Sequence, residues 1–289
     1  MKKIHEVIYF SHELDMLECH LEEHQSFVDK FFIKESPVWW SGGEKPLVFD
    51  QNKERFSRFN IEHIVMPASE FDLSIPTQFP KEEFKKWFDV RRSNRQQSRY
   101  YRWDDIQKGA AFVISMDTDE ILDTRRVKPF LDLVAAGEHE HIMFRVAQHQ
   151  FWVNVKGKGV DIWRGFRGDI PYRGAVRGRP RTKVKNIGWH FTNCFRESED
   201  MRHKAVGILT HYGYHGVDAI PDAGILDNAM KRMQNPFRLR WSKGKLVEDE
   251  FNIRPAPESI LPIDPADWAP RFMRENPHLF PWYSPPELE

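Results

Sequence analysis

Three carboxylates stand together at the end of an apolar run, where Phe112-Val113-Ile114-Ser115-Met116 leads into Asp117-Thr118-Asp119-Glu120. The run has the length and composition of a buried β-strand. In an extended chain, side chains two apart point the same way, so Asp117 and Asp119 are expected to project together from the strand's C-terminal end. Paired carboxylates are hard oxygen ligands suited to Mg²⁺ or Mn²⁺ carrying a diphosphate. Open α/β sheets hold their ligands at this end of their strands.

Other residue groups suit the same chemistry. Phe10-Ser11-His12-Glu13-Leu14-Asp15 follows a second apolar run, and Glu13 or Asp15 would face a nucleotide from its tip. Acids in a first helical turn also favour the helix dipole without any ligand. Glu35, at the tip of a further run, could accept hydrogen bonds from a base or a ribose hydroxyl, or be a solvated strand end. Arg91, Arg95, Arg99 and Arg102 share one helical face, and Arg95 is the candidate for bidentate contact with a diphosphate. The other arginines fit a solvated face. His190, in Gly188-Trp189-His190-Phe191, is the candidate third metal ligand, since neutral imidazole accepts Mn²⁺ better than Mg²⁺; a structural histidine is the alternative.

The acceptor side is less defined. Between Arg173 and Lys185, six cations and no acid fall in thirteen residues. Arg177, Arg179 and Arg181, with Trp163, form a candidate surface for a phosphate backbone or an anionic acceptor, and a solvated basic loop is the alternative. Asp169, Glu199 and Asp200 are the carboxylates offered as a general base. There is no G-x-G-x-x-G, Walker loop, H-E-x-x-H, C-x-x-C or G-x-S-x-G, which argues against NAD enzymes, P-loop NTPases, zinc sites and serine hydrolases.

These residues need elements to position them. Strands are expected at residues 7–10, 28–35 and 61–66, with an amphipathic helix at 12–25 built on Leu14, Leu17 and Leu21. Residues 36–58 read as loop, broken by Pro37, Gly42, Gly43 and Pro46. Residues 81–106 lack Pro and Gly and read as one long helix or two abutting ones. A helix at 127–136 closes at Gly137. Aromatic β-rich runs follow at 142–155, 161–163 and 182–187, then helices at 198–211 and 222–235. The order implies one α/β domain over 1–250, with a nucleotide-binding half at 1–125 and a β-rich acceptor half at 126–250. Residues 251–289 read as an irregular, Pro- and Trp-rich extension.

Composition sets outer bounds. The 289 residues carry 43 Lys+Arg against 43 Asp+Glu, so any polyanion site must be a local patch. Two cysteines do not make a disulfide framework, and reduced thiols are expected. No signal-peptide core and no stretch of ~20 apolar residues occurs, so a soluble, cytoplasmic protein without a membrane partner is expected.

The motifs together resemble a known family. Phe10-x-x-Glu13-Leu14-Asp15-Met16-Leu17-Glu18 is similar to the "F-N-E-L-D-L-L-E" opening of glycosyltransferase family 17, with His12 replacing Asn. This is the family of the β-1,4-mannosyl-glycoprotein N-acetylglucosaminyltransferase. Val28-Asp29-Lys30-Phe31-Phe32-Ile33-Lys34-Glu35-Ser36, Gly43-x-Lys45-Pro46-Leu47-x-Phe49 and Ser115-Met116-Asp117-Thr118-Asp119-Glu120-Ile121 resemble further family motifs, in order. Gly188-Trp189-His190-Phe191 with Cys194-Phe195 does the same. The resemblance implies a glycosyltransferase A-type fold, a Rossmann-like mixed sheet flanked by helices, and a UDP-sugar donor. It implies a divalent metal and inversion at the anomeric carbon. It would place Asp117 on the donor ribose or metal and Asp119 on the metal. A glycan hydroxyl is the expected acceptor; a hydroxymethylated base in DNA and a non-catalytic carbohydrate- or nucleic-acid-binding module are the alternatives.

Overall fold

The computed structural model describes residues 2–40, 42–76, 83–150, 152–156, 160–170, 182–192, 239–242, 245–248 and 269–280. Its strands in chain order are β1 (Ile4–Tyr9), β2 (Lys30–Glu35), β3 (Ile61–Val65), β4 (Phe112–Asp117) and β5 (Glu120–Leu122). They continue with β6 (His141–Gln150), β7 (Trp152–Lys156), β8 (Val160–Arg167), β9 (Thr182–Thr192), and a hairpin of β10 (Leu239–Ser242) and β11 (Lys245–Glu248). The helices are α1 (Leu14–His24), α2 (Val48–Asn52), α3 (Phe84–Tyr100), α4 (Trp103–Gln107), α5 (Lys128–Ala136) and α6 (Arg271–Glu275).

Nine of these strands form one mixed sheet in the order β3-β2-β1-β4-β8-β6-β9-β5, with β7 paired to β6. β1 is buried at all six positions because it runs between β2 and β4, parallel to both. Strands covered on both faces read as continuous apolar runs, which is why the runs were legible. Side chains alternate: Ile4 and Ile8 pack on α1 through Leu17 and Leu21. Val7 and Tyr9 pack on the other face with Trp103 and Ile106 of α4. β2 and β3 lie on one side of β1 and β4 on the other. The C-terminal ends of β1 and β4 therefore form the switch point at which such sheets hold ligands. The β-rich stretch continues this sheet through the antiparallel pairing of β8 with β4.

Several expected elements change form. Residues 36–58 are not all loop, since α2 and a 3₁₀ turn at Lys53–Phe56 lie within them. The Glu35 carboxylate accepts the amides of Phe49 (3.0 Å) and Asp50 (3.4 Å), satisfying donors that a helix start leaves open. Of the two readings for 81–106, the abutting helices are correct. α3 ends at Tyr100 with Tyr101 as its cap, and Arg102 takes a left-handed φ of 51° before α4 begins. Buried Lys34 fixes that break by donating to the carbonyls of Ser98 and Arg99, both at 3.1 Å, and of Tyr101. α5 closes at Gly137 in the left-handed region, as expected. Part of the C-terminal extension is helical: α6 docks on α1, where the Phe272 amide donates to Glu23 Oε1 at 3.2 Å. Cys19 is a buried free thiol. No helix among the described residues is long and apolar enough to cross a membrane. The helices expected at 198–211 and 222–235, and Cys194, lie outside the described residues.

Candidate active site

A cleft of about 310 Å³ opens at the C-terminal ends of β1 and β4. Its floor is the turn that joins β4 to β5, so Asp117, Thr118 and Asp119 all line it. Asp117 ends β4, but Thr118 and Asp119 lie in the turn, so the two acids are not alternate positions of one extended strand. They face different partners. The Asp117 carboxylate accepts Arg99 Nη2 at 3.0 Å on Oδ1 and Arg95 Nη2 at 3.2 Å on Oδ2. Its amide donates to buried Glu120 at 2.9 Å. Asp119 faces β9, with its Oδ1 3.6 Å from His190 Nε2.

Sheet register explains that meeting. β5 pairs antiparallel with β9 so that Glu120 stands opposite His190 and Leu122 opposite Gly188. The Phe191 amide donates to the Asp119 carbonyl at 2.8 Å. A Cβ at Gly188 would overlap the Ile121 carbonyl oxygen and fall 2.7 Å from Leu122 Cα, so only glycine permits this approach. The 71 positions between Asp119 and His190 in the chain hid the contact; the Gly-Trp-His run was its signal.

One wall of the cleft is the arginine face of α3. Arg95 and Arg99 are committed to Asp117, and they also stack on Trp40 (5.3 Å) and Tyr9 (4.7 Å). Arg91 is different. It is 7% exposed, lines the cleft, and has no ion-pair partner among the described residues. Burial, reinforced by the Arg95 charge, pushes its guanidinium down to about 10. Sequence spacing put these three on one face but did not show which one lacks a carboxylate.

The rim is built from the loop after β2. Trp39 and Trp40 line it, with Lys45 Nζ 5.7 Å from the Trp39 ring centre. Asn94, buried on α3, donates to the Trp40 carbonyl at 3.0 Å and ties the loop to the helix. Phe10 and Glu13 line the cleft at the tip of β1.

Other expected site residues fall elsewhere. Asp15 accepts from Arg55 at 2.6 Å and is not part of the cleft lining. Glu35 is fully buried, paired to Lys45 at 3.2 Å and capping α2, so it supports the loop and does not face a ligand. Asp169 is exposed and bound to Arg167 at 2.6 Å, beside the N-terminal end of β4, and so lies at the far end of the strand from the cleft. Trp163 sits on β8 with its backbone opposite Met143. Arg177, Arg179, Arg181, Glu199 and Asp200 lie outside the described residues.

The residues present fit one divalent cation. A carboxylate and an imidazole 3.6 Å apart are close enough to serve as two ligands of one cation. Asp119 and His190 would hold it, and such ions commonly take their remaining ligands from water and substrate phosphate.

An acidic turn opposite a cationic helix, at the switch point of an α/β sheet, is a site built for a charged small molecule at strand ends. The chain belongs to glycosyltransferase family 17, whose family model matches residues 1–235, and it is a glycosyltransferase. No curated protein matches its sequence. Among solved structures, it is similar to S. aureus TarS 1-349, at 10% identity and a TM-score of 0.37, covering 91% of this chain and 100% of that one. TarS 1-349 in complex with UDP-GlcNAc matches at 11% identity and a TM-score of 0.37, covering 72% of this chain and 66% of that one. Glucosyl-3-phosphoglycerate synthase from Mycobacterium tuberculosis, in complex with Mg²⁺ and UDP, matches at 11% identity and a TM-score of 0.36, covering 77% and 82%.

Proposed function

We propose that the cleft binds a UDP-sugar with Mn²⁺ or Mg²⁺ and that the chain transfers the sugar, with inversion, to a glycan hydroxyl. The observation that carries this reading is Arg91. A buried guanidinium without a carboxylate is costly unless an anion reaches it, and it lines the same cleft as Asp119 and His190. A diphosphate supplies that anion and also the oxygen ligands a cation held by Asp119 and His190 would lack. The choice of uridine and of inversion rests on what the resemblance of the motifs to the family implies.

The roles divide by position. Arg91 pairs with the diphosphate. Asp119 and His190 would hold the cation, which when bound offsets the charge that develops on the departing diphosphate. Asp117 fixes Arg95 and Arg99 and so holds the wall in place before any ligand arrives, which is electrostatic preorganisation. Phe10 and Glu13 border the donor at the tip of β1, and Trp39 and Trp40 offer ring faces to base or sugar. The test is a thermal-shift screen of nucleoside diphosphates and UDP-sugars with Mn²⁺. A specific ligand at a hundred times its Kd should add about 2.7 kcal/mol of stability. No shift with any uridine nucleotide, with or without Mn²⁺, would refute the donor assignment.

A further inference from the structure

Directly beneath the acidic turn lies a cluster that the cleft chemistry does not use. Glu6 on β1 and His20 and His24 on α1 are fully enclosed, and three of their ligating atoms lie within 4.8 Å of one another. Among the described residues no other such cluster occurs. Its outer contacts reach the turn on both sides of Asp119. His20 Nδ1 donates to the Thr118 carbonyl at 3.1 Å, and the Leu122 amide donates to His24 Nε2 at 2.7 Å.

Hydrogen-bond bookkeeping decides what the cluster is. His24 Nε2 accepts from an amide, so its one ring proton sits on Nδ1 and is donated to Glu6 Oε2 at 2.7 Å. That nitrogen has no lone pair left for a metal, and a metal on Nδ1 would force a proton onto Nε2, against the Leu122 N–H. His20 faces two acceptors. The Thr118 carbonyl cannot donate, and Glu6 Oε1 lies 3.0 Å from Nε2, so both ring nitrogens carry protons if the carboxylate is ionised. Burial alone would raise the Glu6 carboxyl, but the His20 charge and the hydrogen bonds from both rings outweigh it and hold it below the ordinary carboxylate range. Burial pushes His24 down, in keeping with a neutral ring. The cluster is thus a carboxylate, an imidazolium and a neutral imidazole, with no net charge in the core.

We propose that Glu6, His20 and His24 are positioning residues for the donor site: they hold the backbone at Thr118 and Leu122 and thereby set where the Asp119 carboxylate stands. The inference rests on the donor-site reading above. It assigns His20 the direct hold on the turn and Glu6 the task of orienting both rings from β1. This explains three polar side chains in a layer otherwise filled by Ile4, Ile8, Leu17 and Leu21.

Two substitutions at one position separate positioning from mere support. In His20→Asn the amide nitrogen takes the place of Nδ1 and keeps the bond to Thr118. In His20→Gln it takes the place of Nε2 and keeps only the Glu6 side. Both are made in the full chain and also on a Glu6→Gln background, which removes the charge left unpaired by an uncharged residue 20. Kd for UDP in Mn²⁺ is measured by calorimetry, with Tm alongside. Expected is a Kd within about threefold of the parent for Asn and at least tenfold weaker for Gln, at similar Tm. Equal Kd for Asn and Gln, or losses that follow Tm alone, overturns the proposal. Nitrogen-15 NMR of the wild-type chain gives a second decision that needs no variant: His20 doubly protonated and His24 as the Nδ1–H tautomer. A neutral His20, or one equivalent of tightly held metal in the purified protein that is lost in His24→Ala, also overturns it. Wild type that binds no UDP with Mn²⁺ instead refutes the donor site itself, and the positioning role falls with it.

Discussion

Arg91→Met should make the protein more stable and a worse donor binder. The guanidinium is buried, with no carboxylate beside it, and is held down from its ordinary 12.5 to about 10. At 1.36 kcal/mol per pKa unit, keeping it charged costs the folded state about 3 kcal/mol. Met has a similar length and no charge, so most of that penalty disappears while packing against Phe88 is roughly preserved. Allowing for imperfect packing, the gain is about 1–3 kcal/mol, a Tm rise of a few degrees. Donor binding moves the other way. A hydrogen bond to a charged group contributes about 1.5–3 kcal/mol, so Kd for UDP should weaken on the order of tenfold to a hundredfold. Calorimetry in Mn²⁺ and a melting curve on the same sample check both signs. If Tm falls, or if Kd for UDP is unchanged, Arg91 is not the diphosphate's partner and the reasoning from its unpaired charge fails.

The other expectations follow from the turn and the sheet. Asp119→Ala should abolish transfer while changing Tm little, because it removes a turn carboxylate beside His190 and no core group; wild-type turnover in Mn²⁺ would remove Asp119 from the site. Gly188→Ala should cost about 1–3 kcal/mol and shift β9 against β5, so His190 leaves Asp119 and metal affinity drops with stability; a variant with wild-type Tm and Mn²⁺ affinity would contradict the register argument. Glu6 predicts an acid limb. Its carboxyl is lower in the folded chain, about 2 against 4.5, so the unfolded chain binds more protons in that window. Up to about 3 kcal/mol of stability is therefore present above pH 4.5 and lost as pH falls toward 2. Plots of stability against pH for wild type and Glu6→Gln should be separated by a constant gap above pH 4.5 that closes as pH falls toward 2; a gap that does not change with pH would refute the assignment.

Much of the framework was legible because its signals are local. β1, β2 and β4 are buried on both faces, and so their apolar runs marked them. Leu14, Leu17 and Leu21 marked α1, and Gly137 marked the end of α5. The acidic turn was found for a partly wrong reason: Asp117 and Asp119 share a cleft although they are not alternate residues of one strand. Long-range pairings were illegible. Arg95 was singled out, yet the four arginines at helical spacing look alike in sequence until the structure shows Asp117 taking Arg95 and Arg99 and the helix break taking Arg102 out of the row. Glu35 read as a ligand-facing tip because nothing local reveals that Lys45 and the α2 amides consume its oxygens. Glu6, His20 and His24 went unnoticed because the two histidines, one turn apart on α1, read as part of a helix face and Glu6 as a lone acid in an apolar strand; only strand–helix packing joins them. The break at Arg102 depended on Lys34, which lies 68 positions earlier in the chain.

A cation held by Asp119 and His190 and a sugar nucleotide paired with Arg91 would meet in one cleft. The most direct test is UDP release from UDP-GlcNAc and other UDP-sugars by the purified chain. Release is expected in Mn²⁺, none in EDTA, and none from Asp119→Ala in either condition. Release that persists in EDTA, or at the wild-type rate from Asp119→Ala, would contradict it.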